Sequence, residues 1–146
     1  MDLDTRVKLA VFHHFAGTGT RPTIGQVADA VSITPDAVCE AFARLFKSRV
    51  LVLEADGETI RMAPPFSGIP TQHLVRVAGK EYFANCAWDA LAIPAALRTS
   101  GTIESRCEQS GEPLRLDMDL GRPPLSDWLF HCPVPAVHWW KDIVFT

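Results

Sequence analysis

Residues 23–62 read TIGQVADAVSITPDAVCEAFARLFKSRVLVLEADGETIRM and carry the clearest structural signal of the chain. Thr23 is followed three residues later by Gln26, the pattern of a capping box, which predicts a helix over residues 24–31. Near the other end of this stretch, Asp56-Gly57 lies between two short apolar runs and predicts a β-hairpin. The stretch therefore combines helix starts with a two-stranded turn.

Two further helices complete this part of the chain. Thr34 followed by Pro35 is a typical helix start, with threonine as the N-cap and proline in the first helical position. The apolar stripe of that helix consists of Val38, Ala41, Phe42, Leu45 and Phe46. Residues 4–15 show mostly helical spacing as well. Three helices and a two-stranded wing predict a winged-helix-like module over residues 1–66.

The remainder of the chain predicts a second, mixed region over residues 72–146. A Pro/Gly-rich segment at 63–70 is expected to connect the two with little regular structure. The elements expected beyond it are a strand at 73–79, a helical stretch at 80–97 interrupted by Pro94, and two strands around Ser110-Gly111. The fold class is thus α+β.

The composition of the chain limits the classes of function that it can have. The chain has 146 residues, of which 47% are hydrophobic and 21% charged, and its formal net charge is −3. No apolar run reaches the roughly 18 residues of a membrane span, and the N-terminus does not resemble a secretory signal. We therefore expect a cytoplasmic protein whose four cysteines are thiols, with no membrane contact.

A winged helix suggests DNA binding, but the charge pattern argues against it. The expected recognition helix opens with Asp36 and Glu40, and residues 1–70 carry 7 basic and 8 acidic residues. DNA affinity depends on lysine and arginine facing phosphates. We therefore expect a structural or interaction module and no DNA partner.

The most informative chemistry is the pair Cys86 and Asp89. They are three residues apart, so a helix would bring both side chains to one face. A neighbouring carboxylate raises the pKa of a thiol, which suits an ordinary cysteine nucleophile poorly. The alternative is a buried, inert Cys86 beside a surface Asp89, and spacing alone leaves both interpretations open.

Residues 82–94, YFANCAWDALAIP, resemble the active-site segment of the organomercurial lyases, also called alkylmercury lyases. Ser105-Arg106-Cys107 with residues 110–113, and the run Trp139–Ile143, are similar to later blocks of the same family. The family has a winged-helix-like N-terminal region that does not bind DNA, joined to a mixed α/β catalytic part. The order of parts matches over essentially the whole chain.

The resemblance implies protonolysis of a carbon–mercury bond, in which R–Hg⁺ becomes R–H and Hg²⁺. Cys86 would bind mercury, since thiolates are soft ligands, and Asp89 would donate the proton. Asp89 would need a raised pKa, which we expect from burial against apolar groups such as Trp88. The reaction needs no cofactor, but an external thiol or a partner mercuric reductase is expected to take up the product mercury.

The chain departs from the family pattern at one point. A second mercury-binding cysteine is expected directly after a segment like residues 139–146, where this sequence ends at Thr146. We therefore expect a catalytic region truncated at its C-terminus. Cys132 is the first candidate for a replacement ligand, ahead of Cys107, which is better interpreted as structural. Cys39 is expected in the core of the third helix.

Two further expectations concern what the chain does as a whole. Truncation would expose Trp139, Trp140, Ile143 and Phe145, which favours self-association, for example as a homodimer. Tyr82 is expected to pack rather than to bind. The alternative to an active lyase is a non-catalytic mercury-binding or soft-metal-binding, or regulatory, protein of the same fold. The sequence does not specify which organomercurial is the substrate.

Overall fold

The computed structural model describes residues 1–132 and 134–144. The helices and strands, in chain order, are α1 (Leu3–Thr18), α2 (Ile24–Val31), α3 (Pro35–Lys47), β1 (Val52–Leu53), β2 (Ile60–Ala63), β3 (Phe66–Ser67), β4 (Leu74–Val77), β5 (Lys80–Phe83), α4 (Ala87–Leu97), β6 (Gly101–Arg106) and β7 (Pro113–Met118). A short 3-10 helix, Ala136–Lys141, lies near the end. The fold is mixed α+β, as the sequence predicts.

The predicted helix starts of the N-terminal part are confirmed. The Thr23 hydroxyl accepts a hydrogen bond from the Gln26 backbone N–H, and the Gln26 side chain accepts one from the Thr23 N–H, completing the capping box. Thr34 caps α3 through the Ala37 N–H, with Pro35 in the first turn. Capping groups satisfy N–H groups that have no partner inside the helix, which is why these boundaries could be predicted from sequence.

The first sheet contains one more strand than the sequence predicts. Strands β1 and β2 form the antiparallel hairpin expected around Asp56-Gly57, and β3 adds to the other edge of β2. The segment 63–70 is therefore not irregular throughout. The prediction was wrong there because a two-residue strand such as Phe66–Ser67 is defined by its pairing with Met62 and Ala63 rather than by a local pattern.

The second sheet is antiparallel in the order β5-β4-β6-β7. The strands expected at 73–79 and around Ser110-Gly111 are confirmed, but residues 80–83 form a strand rather than a helix. The reason is the turn at Ala78 and Gly79, both with positive φ, which sends β5 back along β4.

Helix α4 covers one face of this sheet and continues past Pro94 instead of breaking there. The chain leaves the helix only at Arg98, whose φ is +51°. Ala90, Ile93 and Pro94 are buried, and Ala90 and Ile93 belong to the same core cluster as Val75 of β4. Burial of this apolar face offsets the backbone hydrogen bond that proline cannot make.

One apolar core runs through both parts of the chain, from α1 to β7. Phe66 stacks on Phe15 of α1 with ring centroids 5.3 Å apart, and it lies 5.7 Å from Tyr82 of β5. Tyr82 is buried, as expected, and its hydroxyl donates to the Ala16 carbonyl at 2.8 Å. Phe66 and Tyr82 therefore tie the helices to the second sheet.

Several burial expectations were wrong. Phe46 is 49% exposed, because it lies about 100° around α3 from Leu45, which does face the core. Cys39 is only partly buried and is not a core residue. Trp139, Trp140 and Ile143 are partly buried, and Phe145 lies outside the described residues.

The exposed apolar side chains of the C-terminal segment are different ones from those expected. They are Leu125, Trp128, Leu129, Phe130, Val137 and Val144. Within residues 1–132 and 134–144, no helix is long and apolar enough to cross a membrane.

Candidate functional site

The candidate site lies at the beginning of α4. Ala84 forms an isolated antiparallel bridge with Phe66, and Asn85 and Cys86 follow before the helix begins at Ala87. Cys86 is the N-cap, with extended dihedral angles of φ −152° and ψ 178°. The expectation that Cys86 is itself helical was therefore wrong, although Asp89 stands in the first turn directly after it.

The Cys86 thiol is subject to opposing influences. Burial raises its pKa above the ordinary value most strongly, and the Asp89 carboxylate adds to this increase. The nearby backbone N–H groups of Asp89 and Trp88 lower the pKa, although the Cys86 side chain makes no capping hydrogen bond. These N–H groups have no partner inside the helix, so a sulfur at the N-cap is a natural acceptor for them. The site thus keeps a protonated thiol while already offering donors to a thiolate.

The Asp89 side chain is partly buried. Burial raises its pKa above the ordinary value, and the hydrogen bond from Asn85 works against this increase. Asn85 Nδ2 donates to Asp89 Oδ2 at 2.8 Å and to the Phe66 carbonyl at 3.3 Å. Trp88, from which part of this burial is expected, is itself 55% exposed.

Cys132 is exposed, and its thiol donates to the Val134 carbonyl at 2.9 Å. An electrostatic interaction with Cys132 is the smallest of the influences that raise the pKa of Cys86, so the two side chains lie within electrostatic range. A ring contact connects the same two segments, since Phe130 lies 5.6 Å from Trp88 between ring centroids, at an angle of 49°. The structure therefore brings residues 130–132 to the beginning of α4.

The other two cysteines lie on elements away from the beginning of α4. Cys107 follows β6 at the turn into β7, where its N–H donates to the Glu112 carbonyl at 2.9 Å. Hydrogen bonds from Ser110 lower the pKa of the Cys107 thiol. Cys39 belongs to α3, where burial raises its pKa.

Sequence reasoning missed Asn85, although its position four residues before Asp89 was a usable signal for a side-chain contact. It also missed the buried His73, whose Nδ1 lies 2.7 Å from Ser105 Oγ. Burial lowers the pKa of His73. Among residues 1–132 and 134–144 no group of three or more His, Cys, Asp or Glu side chains is arranged to hold a metal ion.

Comparisons with known proteins found similar chains and a similar fold. The family model described as alkylmercury lyase matches residues 66–146, more than half of the chain. An alkylmercury lyase of Bacillus cereus is 47% identical over 51 residues, which cover 35% of this chain and 23% of that protein. An alkylmercury lyase of Streptomyces lividans is 32% identical over 101 residues, covering 69% of this chain and 45% of that protein.

A solved structure, titled as the mercury-bound form of MerB2, is similar over most of the fold. The TM-score is 0.65 at 25% sequence identity, and the match covers 83% of this chain and 59% of that one. The chain thus spans less than two thirds of the length of these relatives.

Proposed function

Since the chain belongs to the alkylmercury lyase family, we propose that it cleaves carbon–mercury bonds by protonolysis, with Cys86 binding mercury and Asp89 donating the proton. The observation that carries the proposal is the placement of both groups at the beginning of α4, a thiol at the N-cap and a buried carboxyl group in the first turn. The substrate is an organomercurial, R–Hg⁺, and the products are R–H and Hg²⁺.

Cys86 is the group that captures the substrate. A thiol binds a soft metal as the thiolate, so binding of R–Hg⁺ releases the thiol proton. The backbone N–H groups of Trp88 and Asp89, which lower the pKa of Cys86, are available to the resulting sulfur. Burial keeps the free thiol protonated in the absence of mercury.

Asp89 supplies the proton that the reaction consumes. Because burial raises its pKa, a larger fraction of Asp89 carries a proton near neutral pH than of an exposed aspartate. The electron pair of the carbon–mercury bond takes up this proton to form the new carbon–hydrogen bond. Mercury stays on the Cys86 sulfur as Hg²⁺, and Asp89 is left as a carboxylate.

Cys132 is proposed as a second mercury-binding thiol, and Trp88 as a residue that lines the substrate site. Two observations support this: Phe130 packs on Trp88 at the beginning of α4, and the Cys132 side chain lies within electrostatic range of Cys86. The reaction needs no cofactor in this proposal. An external thiol, or a mercuric reductase as partner, removes the product mercury.

The remaining parts of the proposal concern the N-terminal region and the setting. We assign residues 1–66 to a winged-helix-like module with a structural role and no DNA partner, and residues 72–146 to the catalytic region. The core shared through Phe66 and Tyr82 supports the structural role. The four free cysteines support a cytoplasmic setting, and the exposed apolar side chains of the C-terminal segment support a homodimer.

The test is release of benzene from phenylmercury in the presence of excess small thiol, followed by gas chromatography. We expect benzene from the unmodified chain, neither benzene nor tight mercury binding from Cys86→Ser, and binding without turnover from Asp89→Ala. Cys39→Ser removes a thiol on α3 and serves as the matched control.

Two results would contradict the proposal. Full turnover by Cys86→Ser would exclude Cys86 as the mercury ligand of the reaction. Tight mercury binding by the unmodified chain without any benzene would replace the lyase by a non-catalytic mercury-binding protein of the same fold.

A further inference from the structure

Asn85 is a polar side chain that joins the Asp89 carboxyl group to the rest of the fold. Its Nδ2 group donates two hydrogen bonds, to Asp89 Oδ2 at 2.8 Å and to the Phe66 carbonyl at 3.3 Å. The other end of the carboxamide, Oδ1, is buried and has no hydrogen-bond partner. Asn85 itself immediately follows the bridge between Ala84 and Phe66, so the sheet holds its backbone.

The Phe66 carbonyl determines which way the carboxamide faces. A carbonyl oxygen can only accept, so the end of Asn85 that contacts it must be the N–H₂ end. If the carboxamide were turned around, its Oδ1 would face both the Phe66 carbonyl and Asp89. The Asn85 N–H groups are therefore directed at Oδ2 of Asp89 whether or not that carboxyl group is protonated.

This orientation distinguishes the two oxygens of Asp89. In a neutral carboxyl group, the carbonyl oxygen is the better acceptor and the other oxygen carries the hydrogen. An N–H held against Oδ2 therefore favours the form in which the hydrogen is on Oδ1. We propose that Asn85 is a positioning residue that occupies Oδ2 of Asp89 and so makes Oδ1 the oxygen that delivers the proton. This inference rests on the proposed lyase reaction.

The same contact also stabilises the product side of the step. When the Oδ1–H bond of Asp89 breaks, its proton is transferred to carbon. The electron pair of the carbon–mercury bond then becomes the electron pair of the new carbon–hydrogen bond. Asp89 then carries a negative charge in a buried place, where an N–H donor to its other oxygen is worth most. The opposing effects of burial and of Asn85 on the Asp89 pKa are consistent with this role.

The kinetic test compares Asn85→Leu, of similar size but without a donor, and Asn85→Ala with the unmodified chain. Loss of an orienting contact is expected to reduce kcat for benzene release by about 10-fold to 100-fold. KM and stoichiometric phenylmercury binding should stay unchanged, because Cys86 is untouched.

Thr71→Val is the matched control, since it removes the 2.6 Å hydrogen bond from Thr71 Oγ1 to the carbonyl of Ala84, next to Asn85, without touching Asp89. If Asn85 only held the backbone, the two variants would behave alike. Thr71→Val also removes the hydrogen bond that Thr71 Oγ1 accepts from the His73 N–H at 3.2 Å. Because both bonds are neutral and lie outside the reacting groups, we expect kcat of Thr71→Val within about twofold of the unmodified chain.

A second measurement does not depend on turnover. In a ¹H–¹⁵N spectrum, the side-chain amide of Asn85, identified by its loss in Asn85→Leu, should shift and exchange faster with solvent in Asp89→Ala. An amide that does not respond to Asp89→Ala overturns the inference. If a variant does not fold, the Asn85 side-chain amide is assigned by triple-resonance spectra of the unmodified chain and followed as the pH is lowered: it should shift when Asp89 takes up its proton, and an amide that does not shift overturns the inference.

The outcomes separate the inference from the function it rests on. An active chain whose Asn85 variants retain full kcat would overturn the positioning role and leave the lyase proposal standing. A chain that binds phenylmercury but releases no benzene would contradict the lyase proposal, and the amide signal would still decide whether Asn85 holds Asp89.

Discussion

Phe130→Ala tests whether the C-terminal segment brings a second thiol to the site. Phe130 packs on Trp88 at the beginning of α4, and Cys132 follows two residues later, within electrostatic range of Cys86. If the ring contact holds this segment in place, removing the Phe130 ring should leave Cys132 free to move away from Cys86. Mercury bound to Cys86 would then be coordinated by Cys132 for a smaller fraction of the time.

The size of the effect follows from the geometry. Ring centroids 5.6 Å apart at an angle of 49° lie in the favourable range for an aromatic pair. Such pairs contribute about 0.5–1.5 kcal/mol beyond the apolar area they bury, equivalent to a factor of about 2 to 13 in an equilibrium constant. Trp88 is 55% exposed and Phe130 is 45% exposed. We therefore expect the Kd for Hg²⁺ to increase by a factor near the lower end of this range.

The assay is competition for Hg²⁺ between the protein and a small dithiol, with Phe46→Ala as the matched control. Phe46 is 49% exposed on α3, so its removal deletes a comparable ring elsewhere. The double variant Phe130→Ala/Cys132→Ser completes a cycle, in which the Phe130 effect should disappear once Cys132 is gone. Equal affinities for Phe130→Ala and Phe46→Ala, or an undiminished effect without Cys132, would refute this reasoning.

Three further predictions concern reactivity and stability. Hydrogen bonds lower the pKa of Cys107, and burial raises the pKa of Cys86. We therefore expect iodoacetamide to modify Cys107 before Cys86 at pH 8, and Cys86 to react at a comparable rate only at higher pH. Peptide mass mapping measures the order, and modification of Cys86 before Cys107 would contradict the prediction. Tyr82→Phe leaves a backbone acceptor of α1 without its hydroxyl donor and should lower the free energy of unfolding by about 1 kcal/mol in urea titration, whereas no change would mean that water replaces it. Gly19→Ala would place a Cβ 2.0 Å from the Glu81 carbonyl oxygen at a φ of +78°, so we expect a loss of more than about 2 kcal/mol or failure to fold, and a normal melting temperature would show that this turn can move.

The parts of the fold that could be predicted from sequence are those with local causes. The capping box at Thr23 and the Thr34-Pro35 start satisfy their own helix ends, so four to six residues contain the whole signal. The hairpin at Asp56-Gly57 is equally local. Strand β3 and strand β5 were missed because each is stabilised by a partner strand rather than by its own composition.

The candidate site shows the same division. The pair Cys86 and Asp89 could be found from its spacing, and the raised pKa of Asp89 could be expected from the chemistry that it would need. The source of the burial could not be predicted, since Trp88 points largely to solvent. The contact from Phe66 to Asn85 joins residues 19 apart, and only the folded chain brings them together.

That contact explains what a helical N-terminal part contributes to chemistry on α4. Phe66 presents its ring to Phe15 of α1 and its carbonyl to Asn85, which in turn holds Asp89. A change in the packing of Phe15 would therefore move an acceptor that orients the proposed proton donor, even though Phe15 is remote from mercury. On this reasoning the helices act as a support for the site rather than as a separate binding module, and variants in their core should reduce turnover before they reduce mercury binding.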